Sequence, residues 1–489
     1  MMKDSMYDIV VIGSGPAGYA ACIRATEYGL KTALIEKSEI GGTCLNRGCI
    51  PTKSLLSCAH KYTEMKKCLT NHQGLEGNLA EFNLKEAYEY KSSLVIDIQN
   101  DMKNQLLSRD VEIIYGEATV RIKGTVDVVE NFVSSVSNAH RVLQAKHIIV
   151  ATGTTPIVSS ELKCDEEVRK KIMTTDDVLR SPQKYKKLCI IGAGVSGVEF
   201  ADFFSRIGCQ VILLEQEEHI LSGFDKDIQI LQKKLLKKQG VTVVTGANKI
   251  QITTVTGDED SSHSNIEDTK EVFVMEYFIG GNKEKVICEA ILATTGQSSS
   301  LESVIECENT SYFTVNDNWE VMKGTKESDD LCVLNGVYGI GDAATKPWLA
   351  NKSMAEGTAI VEQIMLQLVN KTLSVIPNCV FTKPEIACCG ITQAQADLAG
   401  QQYYISKVPV KYQGSNRIEG STEGFVKLLV SQENKEILGA HLICEHASDI
   451  IGEFVLAMNH HLTVDQLYQT IYIHPGFSEI ILEALKKVI

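Results

Sequence analysis

The feature that most constrains this chain is a strand, a glycine-rich turn and a helix that occur twice. The first copy runs from the apolar segment Tyr7–Ile12 into Gly13-Ser14-Gly15-Pro16-Ala17-Gly18, and the second from Lys187–Ile191 into Gly192-Ala193-Gly194-Val195-Ser196-Gly197. We predict helices from about Ala17 to Tyr28 and from Val198 to Ile207 after these turns. A strand that leads through such a turn into a helix is typical of a dinucleotide-binding βαβ unit. The repeat therefore predicts two nucleotide-binding units.

Each turn contains three glycines with separate tasks. The first permits the tight turn, the second lets a pyrophosphate approach the backbone, and the third lets the helix pack closely on the strand. Each copy also ends in an acid after its second strand, Glu36 or Glu215, at 36 − 13 = 23 and 215 − 192 = 23 residues from the first glycine. We predict that these carboxylates accept hydrogen bonds from ribose hydroxyls. The candidate glycines are Gly13, Gly15, Gly18, Gly192, Gly194 and Gly197.

The second site is predicted to take NAD rather than NADP. A 2′-phosphate needs cations close to the ribose, but the second strand ends in Glu215-Gln216-Glu217-Glu218. A carboxylate facing that phosphate is repulsive.

The chain is too long for one hydrophobic core. It has 489 residues, whereas domains usually span roughly 100–200. Strand-like and helix-like stretches alternate through the first two thirds, as in parallel α/β sheets. From about residue 351 the pattern changes to strand-like pieces, such as 424–430, followed by helical segments. This part is predicted to be an α+β unit.

Composition indicates an acidic protein of a reducing compartment. The 48 Lys and Arg against 62 Asp and Glu give a net charge of −14, which disfavours nucleic acid and anionic membrane. No apolar stretch approaches the roughly 18 residues that a membrane span needs. The 15 cysteines, without a secretory signal before them, favour a cytoplasmic protein, or an organelle matrix protein that has lost a presequence.

Cys44 and Cys49 are candidate redox thiols. Four residues separate them in a glycine-rich stretch just before Pro51, and a small loop that opens into a helix can hold two sulfurs at disulfide distance. Zinc is disfavoured because a structural site needs four ligands and no second Cys/His pair has matching spacing; no metal site is predicted. Two inert buried thiols remain an alternative on spacing alone.

Gly41–Lys53, with the sequence GGTCLNRGCIPTK, resembles the active-site signature of the pyridine nucleotide-disulfide oxidoreductases. The similarity covers nearly the whole chain and is strongest to the dihydrolipoamide dehydrogenases of that family. Further motifs carry it, namely Ala151-Thr152-Gly153, Gly339-Ile340-Gly341-Asp342-Ala343, Pro384-Glu385-Ile386-Ala387 and His474-Pro475-Gly476-Phe477-Ser478-Glu479. The resemblance implies an α/β fold with two Rossmann-like domains, for FAD and NAD, and a C-terminal α+β dimerisation domain. The boundaries that we predict are 1–155 and 291–350 for the two parts of the FAD-binding domain, 156–290 for the NAD-binding domain, and 351–489 for the dimerisation domain.

The resemblance also implies a role for each catalytic side chain. Cys44 is the thiol that attacks substrate, and Cys49 is the sulfur against the flavin. His474 comes from the other subunit as the acid–base, oriented by Glu479. Lys53 lies near flavin N5, paired with Glu199 beside the nicotinamide. The implied FAD-binding residues are Gly13, Gly15, Gly18, Glu36, Gly42, Thr43, Lys53, Gly116, Thr152, Gly153, Asp342 and Ala350. The implied NAD-binding residues are Gly192, Gly194, Gly197, Glu199, Glu215 and Gly296.

The implied activity is oxidation of dihydrolipoyl groups with reduction of NAD⁺ through the disulfide and FAD. The implied partners are a second copy of the chain, lipoamide, and the lipoyl domains and core of a 2-oxoacid dehydrogenase or glycine cleavage complex. Alternatives are a glutathione- or trypanothione-reductase-like enzyme, which Glu215 opposes, and a mercuric-reductase-like enzyme, which lacks support because the C-terminus has no paired Cys. A purely structural role as an assembly subunit predicts a damaged site, whereas all the catalytic residues are present.

The sequence departs from the family pattern at several positions. Tyr472 stands where the dihydrolipoamide dehydrogenases often have a His, and Gly476-Phe477 replaces the usual Thr-Leu. Asn351 stands where His is usual, Gln297 where Arg is common, and Ser196 where an apolar residue is usual. None removes a group that performs chemistry, although Tyr472 bears on the choice of disulfide substrate. The acidic stretch 256–270 is predicted to be a surface hairpin loop.

Overall fold

The computed structural model describes residues 6–71, 73–121, 124–130, 140–256, 271–306, 312–325, 331–366 and 375–488. The chain divides into two compact units. Unit 1 consists of Met1–Thr52, Tyr88–Pro156 and Gln297–Leu373, and unit 2 of Lys53–Ala87, Ile157–Gly296 and Ser374–Ile489.

The strands are β1 Tyr7–Ile12, β2 Thr32–Glu36, β3 Glu112–Arg121, β4 Thr125–Glu130, β5 His140–Val150, β6 Thr154–Pro156, β7 Lys187–Ile191, β8 Gln210–Glu215, β9 Thr242–Thr245, β10 Asn248–Thr256, β11 Glu271–Ile279, β12 Asn282–Cys288, β13 Ala290–Ala293, β14 Gln297–Ser299, β15 Tyr312–Val315, β16 Glu320–Gly324, β17 Cys332–Gly339, β18 Asn378–Val380, β19 Glu385–Gly390, β20 Tyr403–Pro409, β21 Phe425–Ser431 and β22 Ile437–Cys444. The α-helices are α1 Pro16–Glu27, α2 Gly42–Arg47, α3 Cys49–Thr70, α4 Leu84–Leu107, α5 Glu166–Lys171, α6 Thr175–Arg180, α7 Val195–Arg206, α8 Lys226–Lys238, α9 Ala350–Leu366, α10 Gln393–Leu398, α11 Gly414–Ile418, α12 Ala447–Asn459, α13 Val464–Tyr468 and α14 Glu479–Leu485.

Unit 1 is built on a large sheet in the order β1-β2-β3-β4-β5-β17-β16-β15, in which β1 also pairs with β5. The pairings β3–β2, β2–β1, β1–β5 and β5–β17 are all parallel. Strands β1 and β2 are buried along almost their whole length, as is usual where a parallel sheet is covered on both faces. Helix α9 lies against α1 so closely that a Cβ on Gly357 would be 2.2 Å from the Ala17 carbonyl oxygen.

Unit 2 contains a parallel sheet, β13-β7-β8-β9, and an antiparallel sheet, β10-β11-β12. Its C-terminal part is a five-stranded antiparallel sheet in the order β18-β19-β22-β21-β20. Val426, Leu428 and Val430 of β21 share one core with Phe454 of α12 and Ile481 of α14. This confirms the predicted fold class, with two Rossmann-like sheets and an α+β unit.

The strands that flank the predicted acidic loop pair with each other, Thr256 opposite Glu271, and residues 257–270 lie outside the described residues. The domain boundaries at 155, 290 and 350 stay predictions. Within the described parts of the chain, no helix combines the length and apolarity that a bilayer crossing needs.

Candidate active site

The first glycine turn joins β1 to α1, and the protein itself explains two of its three glycines. Gly13 has φ +97°, and a Cβ there would lie 2.5 Å from the Ala151 carbonyl oxygen. A Cβ on Gly18 would lie 1.9 Å from the Gly13 carbonyl oxygen. A Cβ on Gly15, by contrast, would meet nothing within 4 Å. The space above Gly15, at the N-terminus of α1, is therefore open for a group that approaches the backbone.

The second turn joins β7 to α7 and repeats this arrangement. Gly192 has φ +101° and leaves only 2.7 Å between a Cβ and the Thr294 carbonyl oxygen. A Cβ on Gly197 would lie 1.9 Å from the Gly192 carbonyl oxygen, whereas one on Gly194 would meet nothing within 4 Å. In both turns the second glycine is the one that internal packing does not require.

The two acids lie under their turns. Glu36 is 7% exposed; its Oε2 accepts hydrogen bonds from the Ser14 amide at 2.9 Å and the Ser14 hydroxyl at 2.6 Å. Glu215 Oε2 accepts from the Ala193 amide at 2.6 Å, and its Oε1 accepts from the Glu217 amide at 2.9 Å. Each carboxylate oxygen has two lone pairs, so these bonds leave acceptor capacity for a ribose hydroxyl.

The cysteine segment begins against the first turn. The Gly41 amide donates to the Ser14 hydroxyl oxygen at 3.0 Å, and a Cβ on Gly42 would lie 2.7 Å from Gly15 Cα. Gly41, with φ +100°, precedes α2. The segment that carries the cysteines is thus bonded to the first nucleotide turn within unit 1.

Cys44 lies in α2 and Cys49 is the first residue of the 22-residue helix α3. Both are half-buried, and their sulfurs lie near disulfide distance. The N-terminal end of a helix carries partial positive charge, which stabilises a thiolate and suits disulfide exchange. Asn46 holds the short helix α2 in place, since its side-chain amide donates to the Gly42 carbonyl at 2.9 Å and the Ile40 carbonyl at 3.0 Å.

Lys53 and Glu199 form an ion pair in unit 2. Lys53 Nζ is 2.8 Å from Glu199 Oε2, and their side chains are 29% and 3% exposed. The other carboxylate oxygen, Oε1, accepts from the Phe381 amide at 2.9 Å. Lys53 lies one helical turn after Cys49, and Glu199 lies in α7, which the second turn opens. The structure therefore brings together two residues that the resemblance paired across 146 positions.

His474 and Glu479 also form a pair. His474 Nδ1 is 2.8 Å from Glu479 Oε1, and the imidazole is 80% exposed. Glu479 Oε2 accepts from the Gly476 amide at 3.1 Å. The hydrogen bond from His474 is the main reason that the pKa of Glu479 lies below its ordinary value. The carboxylate fixes one ring nitrogen and leaves Nε2 for chemistry.

Several other predicted cofactor residues have defined surroundings. Ser300 Oγ donates to the Gly153 carbonyl at 2.6 Å and lies within hydrogen-bond distance, 2.9 Å, of the Thr152 hydroxyl oxygen. Asp342 Oδ1 accepts from Ser353 Oγ at 3.1 Å, and burial raises the pKa of the Asp342 carboxyl. Ala350 is the first residue of α9.

Three further predicted residues are glycines or lie next to one. A Cβ on Gly116 would lie 2.5 Å from the Val129 carbonyl oxygen, so the pairing of β3 with β4 accounts for this glycine. Gly296 has φ +133°. Thr43 follows Gly42 in the first turn of α2. The assigned cofactor contacts of all these residues stay predictions.

Sequence reasoning missed Ser14 and a buried pair on α9. The Ser14 hydroxyl bridges Glu36 and Gly41. Glu356 accepts from the Gly341 amide at 2.8 Å, beside Asp342, and Lys352 Nζ lies 3.3 Å from its carboxylate. A Lys and a Glu four residues apart in an otherwise largely apolar helix were the available signal for this pair, whereas Ser14 offered none.

The residues present fit two dinucleotides. The open space over Gly15 and Gly194 lies at helix N-termini, which attract phosphate, and a carboxylate lies under each turn.

The profile of the pyridine nucleotide-disulphide oxidoreductase family matches residues 7–357, and that of the family's dimerisation domain matches residues 376–485.

Known proteins agree over the full length. The dihydrolipoyl dehydrogenase of Synechocystis is 32% identical over 505 residues and covers 100% of both chains. That of Geobacillus stearothermophilus is 31% identical over 479 residues, covering 98% of this chain and 95% of its own. The structure of LpdA from Mycobacterium tuberculosis, 22% identical, shares the fold with a TM-score of 0.82 over 98% of this chain and 99% of its own. The chain therefore belongs to the pyridine nucleotide-disulphide oxidoreductases, enzymes that use FAD and NAD(H), and carries that family's dimerisation domain.

Proposed function

We propose that this enzyme oxidises dihydrolipoyl groups to lipoyl groups and reduces NAD⁺. The observation that carries the proposal is that Cys44 and Cys49 lie near disulfide distance on a segment bonded to the first nucleotide turn. The full-length relatives named dihydrolipoyl dehydrogenase favour this dithiol substrate over other thiols.

The first chemical step is thiol–disulfide exchange. His474 Nε2 takes the proton of a dihydrolipoyl thiol, and the thiolate attacks the Cys44 sulfur of the Cys44–Cys49 disulfide. The Cys44–Cys49 bond breaks, Cys49 leaves as a thiolate, and Cys44 holds the mixed disulfide. The second substrate thiol displaces Cys44 and closes the lipoyl disulfide. The Cys44 sulfur takes a proton from the His474 imidazolium as it leaves, and the imidazole accepts the proton of the second thiol. The result is an oxidised substrate and a reduced cysteine pair, with two electrons transferred.

His474 is proposed to serve Cys44 of the other copy in the dimer. Two observations support this role: the imidazole is 80% exposed in the single chain, and it lies in the dimerisation domain. Glu479 orients the ring and stabilises its protonated form, because a carboxylate with a lowered pKa keeps its negative charge. The imidazolium formed by the first deprotonation can then give its proton to the Cys44 sulfur.

FAD would be held at the first turn, by Gly13, Gly15 and Glu36, and would supply the transfer of two electrons from the cysteine pair to NAD⁺ as a hydride. Cys49 is proposed to contact the flavin, and Lys53 to place a positive charge beside it while Glu199 neutralises and orients that ammonium. Glu215 is proposed to select NAD over NADP, since its carboxylate would repel a 2′-phosphate.

The remaining assignments belong to the same proposal. The partners are lipoyl domains and the core of a 2-oxoacid dehydrogenase or glycine cleavage complex. The FAD and NAD contacts are those of the residues named from the sequence, and the four domain segments divide at residues 155, 290 and 350. The cysteine content supports a cytoplasmic or organelle-matrix setting.

Replacement of Cys44 tests the proposal. In C44S we expect dihydrolipoamide oxidation to disappear, while FAD stays bound and NADH still reduces the flavin. Wild-type enzyme assayed with lipoamide, oxidised glutathione and Hg²⁺, each with NADH and NADPH, identifies the substrate. Retained lipoamide turnover in C44S, or turnover of only glutathione with NADPH, would contradict the assignment.

A further inference from the structure

A second set of charged side chains joins the same two helices as the Lys53–Glu199 pair. His60 of α3 places Nε2 at 2.7 Å from Asp202 Oδ2 of α7. Arg206, four residues after Asp202, forms a bidentate interaction with the same carboxylate. Its Nε lies 2.8 Å from Oδ2 and its Nη2 lies 2.9 Å from Oδ1. On α3, His60 follows Lys53 by seven residues, and on α7, Asp202 follows Glu199 by three. The two helices are therefore joined at two levels, the first made by Lys53 and Glu199 and the second by His60, Asp202 and Arg206.

This second level is more buried than the first. The side chains of Asp202, Arg206 and His60 are 2%, 6% and 17% exposed. Burial alone would raise the pKa of Asp202, but the hydrogen bond from His60 and the charge of Arg206 outweigh it, so that this pKa lies below its ordinary value. A negative charge is therefore held in place between the two helices, where the loss of one partner is costly.

Both levels also hold the segment 381–383. The Phe381 amide donates to Glu199 Oε1 at 2.9 Å, and Arg206 Nη2 donates to the Lys383 carbonyl at 3.1 Å. Glu199 and Arg206 are seven residues apart, two turns of α7. Arg206 therefore holds the segment 381–383, whose Phe381 amide binds the second carboxylate oxygen of Glu199.

We propose that His60, Asp202 and Arg206 form a brace that sets α3 against α7 and so keeps the Lys53 ammonium on Glu199. They are positioning residues, and the proposal rests on the function proposed above for Lys53 and Glu199. Lys53 needs such support because its side chain is long, rotatable and 29% exposed, so the place of its charge depends on where its helix lies.

The test compares His60→Leu, which removes the bond to Asp202, with His60→Gln, whose amide can still donate to it. In H60L we expect FAD to stay bound, kcat to fall about tenfold through misplacement of a reacting pair, and KM for dihydrolipoamide to stay within about twofold. The absorption spectrum of the flavin during titration with NADH should also differ from wild type. H60Q should restore both properties.

A control variant separates positioning from stability. Lys427→Met removes a buried charge of unit 2 whose nitrogen lies 2.9 Å from Asp225 and 2.8 Å from Asp227. It should lower the thermal unfolding temperature but leave kcat per bound flavin and the flavin spectrum unchanged. If H60L does not retain FAD, His60→Asn, whose amide is too short to reach Asp202, replaces it in the same comparison.

Two results would overturn the brace, namely a wild-type spectrum and kcat in H60L, or an H60Q variant as impaired as H60L. Failure of the proposed function is distinguishable from both. If the wild type does not oxidise dihydrolipoamide, the spectral comparison and NADH oxidation by ferricyanide still report on Lys53 and Glu199. A changed spectrum in H60L then supports the brace although the substrate assignment is lost.

Discussion

The two glycine turns have similar backbone conformations but differ in the hydrogen bonds that they make. In the first, the Ser14 hydroxyl bonds both Glu36 and the Gly41 amide, so the turn is tied to the segment that carries Cys44. In the second, Ala193 occupies the matching position and only its backbone makes bonds, accepting from the Leu221 amide at 2.8 Å. One hydroxyl thus distinguishes the two turns: Ser14 bonds the first turn to the segment that carries Cys44, whereas Ala193 of the second turn makes its bonds with backbone groups, including one to the Glu215 carboxylate.

The largest effects are expected at the third glycines. Gly18→Ala and Gly197→Ala each put a methyl group 1.9 Å from a backbone oxygen, which should exceed the roughly 1–3 kcal/mol that overpacking usually costs. We expect G18A to lose FAD, and G197A to lose NADH oxidation while it keeps FAD. The flavin-to-protein ratio and thermal unfolding check this. Equal loss of FAD in both variants would mean that the two turns are not independent.

The second glycines should affect nucleotide affinity without destabilising the fold. Gly15 and Gly194 lie in an extended conformation with φ values of −63° and −70°, which alanine adopts without strain. Alanine at either position should therefore stabilise the apoprotein by about 0.4–1 kcal/mol. Loss of one hydrogen bond to a charged phosphate should weaken binding by up to about a hundredfold, for FAD in G15A and for NADH in G194A. Titration calorimetry and unfolding of the apoprotein measure both. Unchanged affinity would show that the open space does not receive a pyrophosphate.

The acid of the second turn should control the choice of nucleotide. Glu215→Ala should weaken NADH binding by about tenfold, the value of one good hydrogen bond, and raise NADPH binding by removing a repulsive charge. Dissociation constants for the two nucleotides give the result directly. The variant Glu217→Ala, which removes a neighbouring acid, shows whether the effect depends on Glu215 itself. A loss of NADH and NADPH affinity in equal measure would contradict the proposed selection.

The smallest effect is expected from exchanging the distinguishing hydroxyl. Ser14→Ala should lower the free energy of unfolding by about 1 kcal/mol, because the Gly41 amide and Glu36 each lose a partner. It should also slow thiol–disulfide exchange at Cys44. Ala193→Ser adds a hydroxyl in the other turn and should leave exchange unchanged. Stopped-flow reduction of the disulfide, together with denaturant unfolding, would reveal whether S14A and A193S instead behave alike.

The elements around the turns could be predicted to within a few residues. The strands Tyr7–Ile12 and Lys187–Ile191 have the predicted bounds, because a short apolar run that ends in a glycine turn is a local signal. The second helix begins at Val195, not at the predicted Val198, since it starts directly after Gly194 inside the turn. Local patterns locate an element well but say less about its first residue.

The sequence by itself determined the two nucleotide turns, their acids and the cysteine segment, because each is encoded by residues close together in the chain. The tertiary structure decided which distant side chains meet. Nothing near His60 indicates that it will contact Asp202, 142 positions away, and nothing near Ser14 indicates the bond to Gly41. Such pairs form because packed sheets and helices exclude water, and a polar group buried there must find whatever partner the fold brings to it.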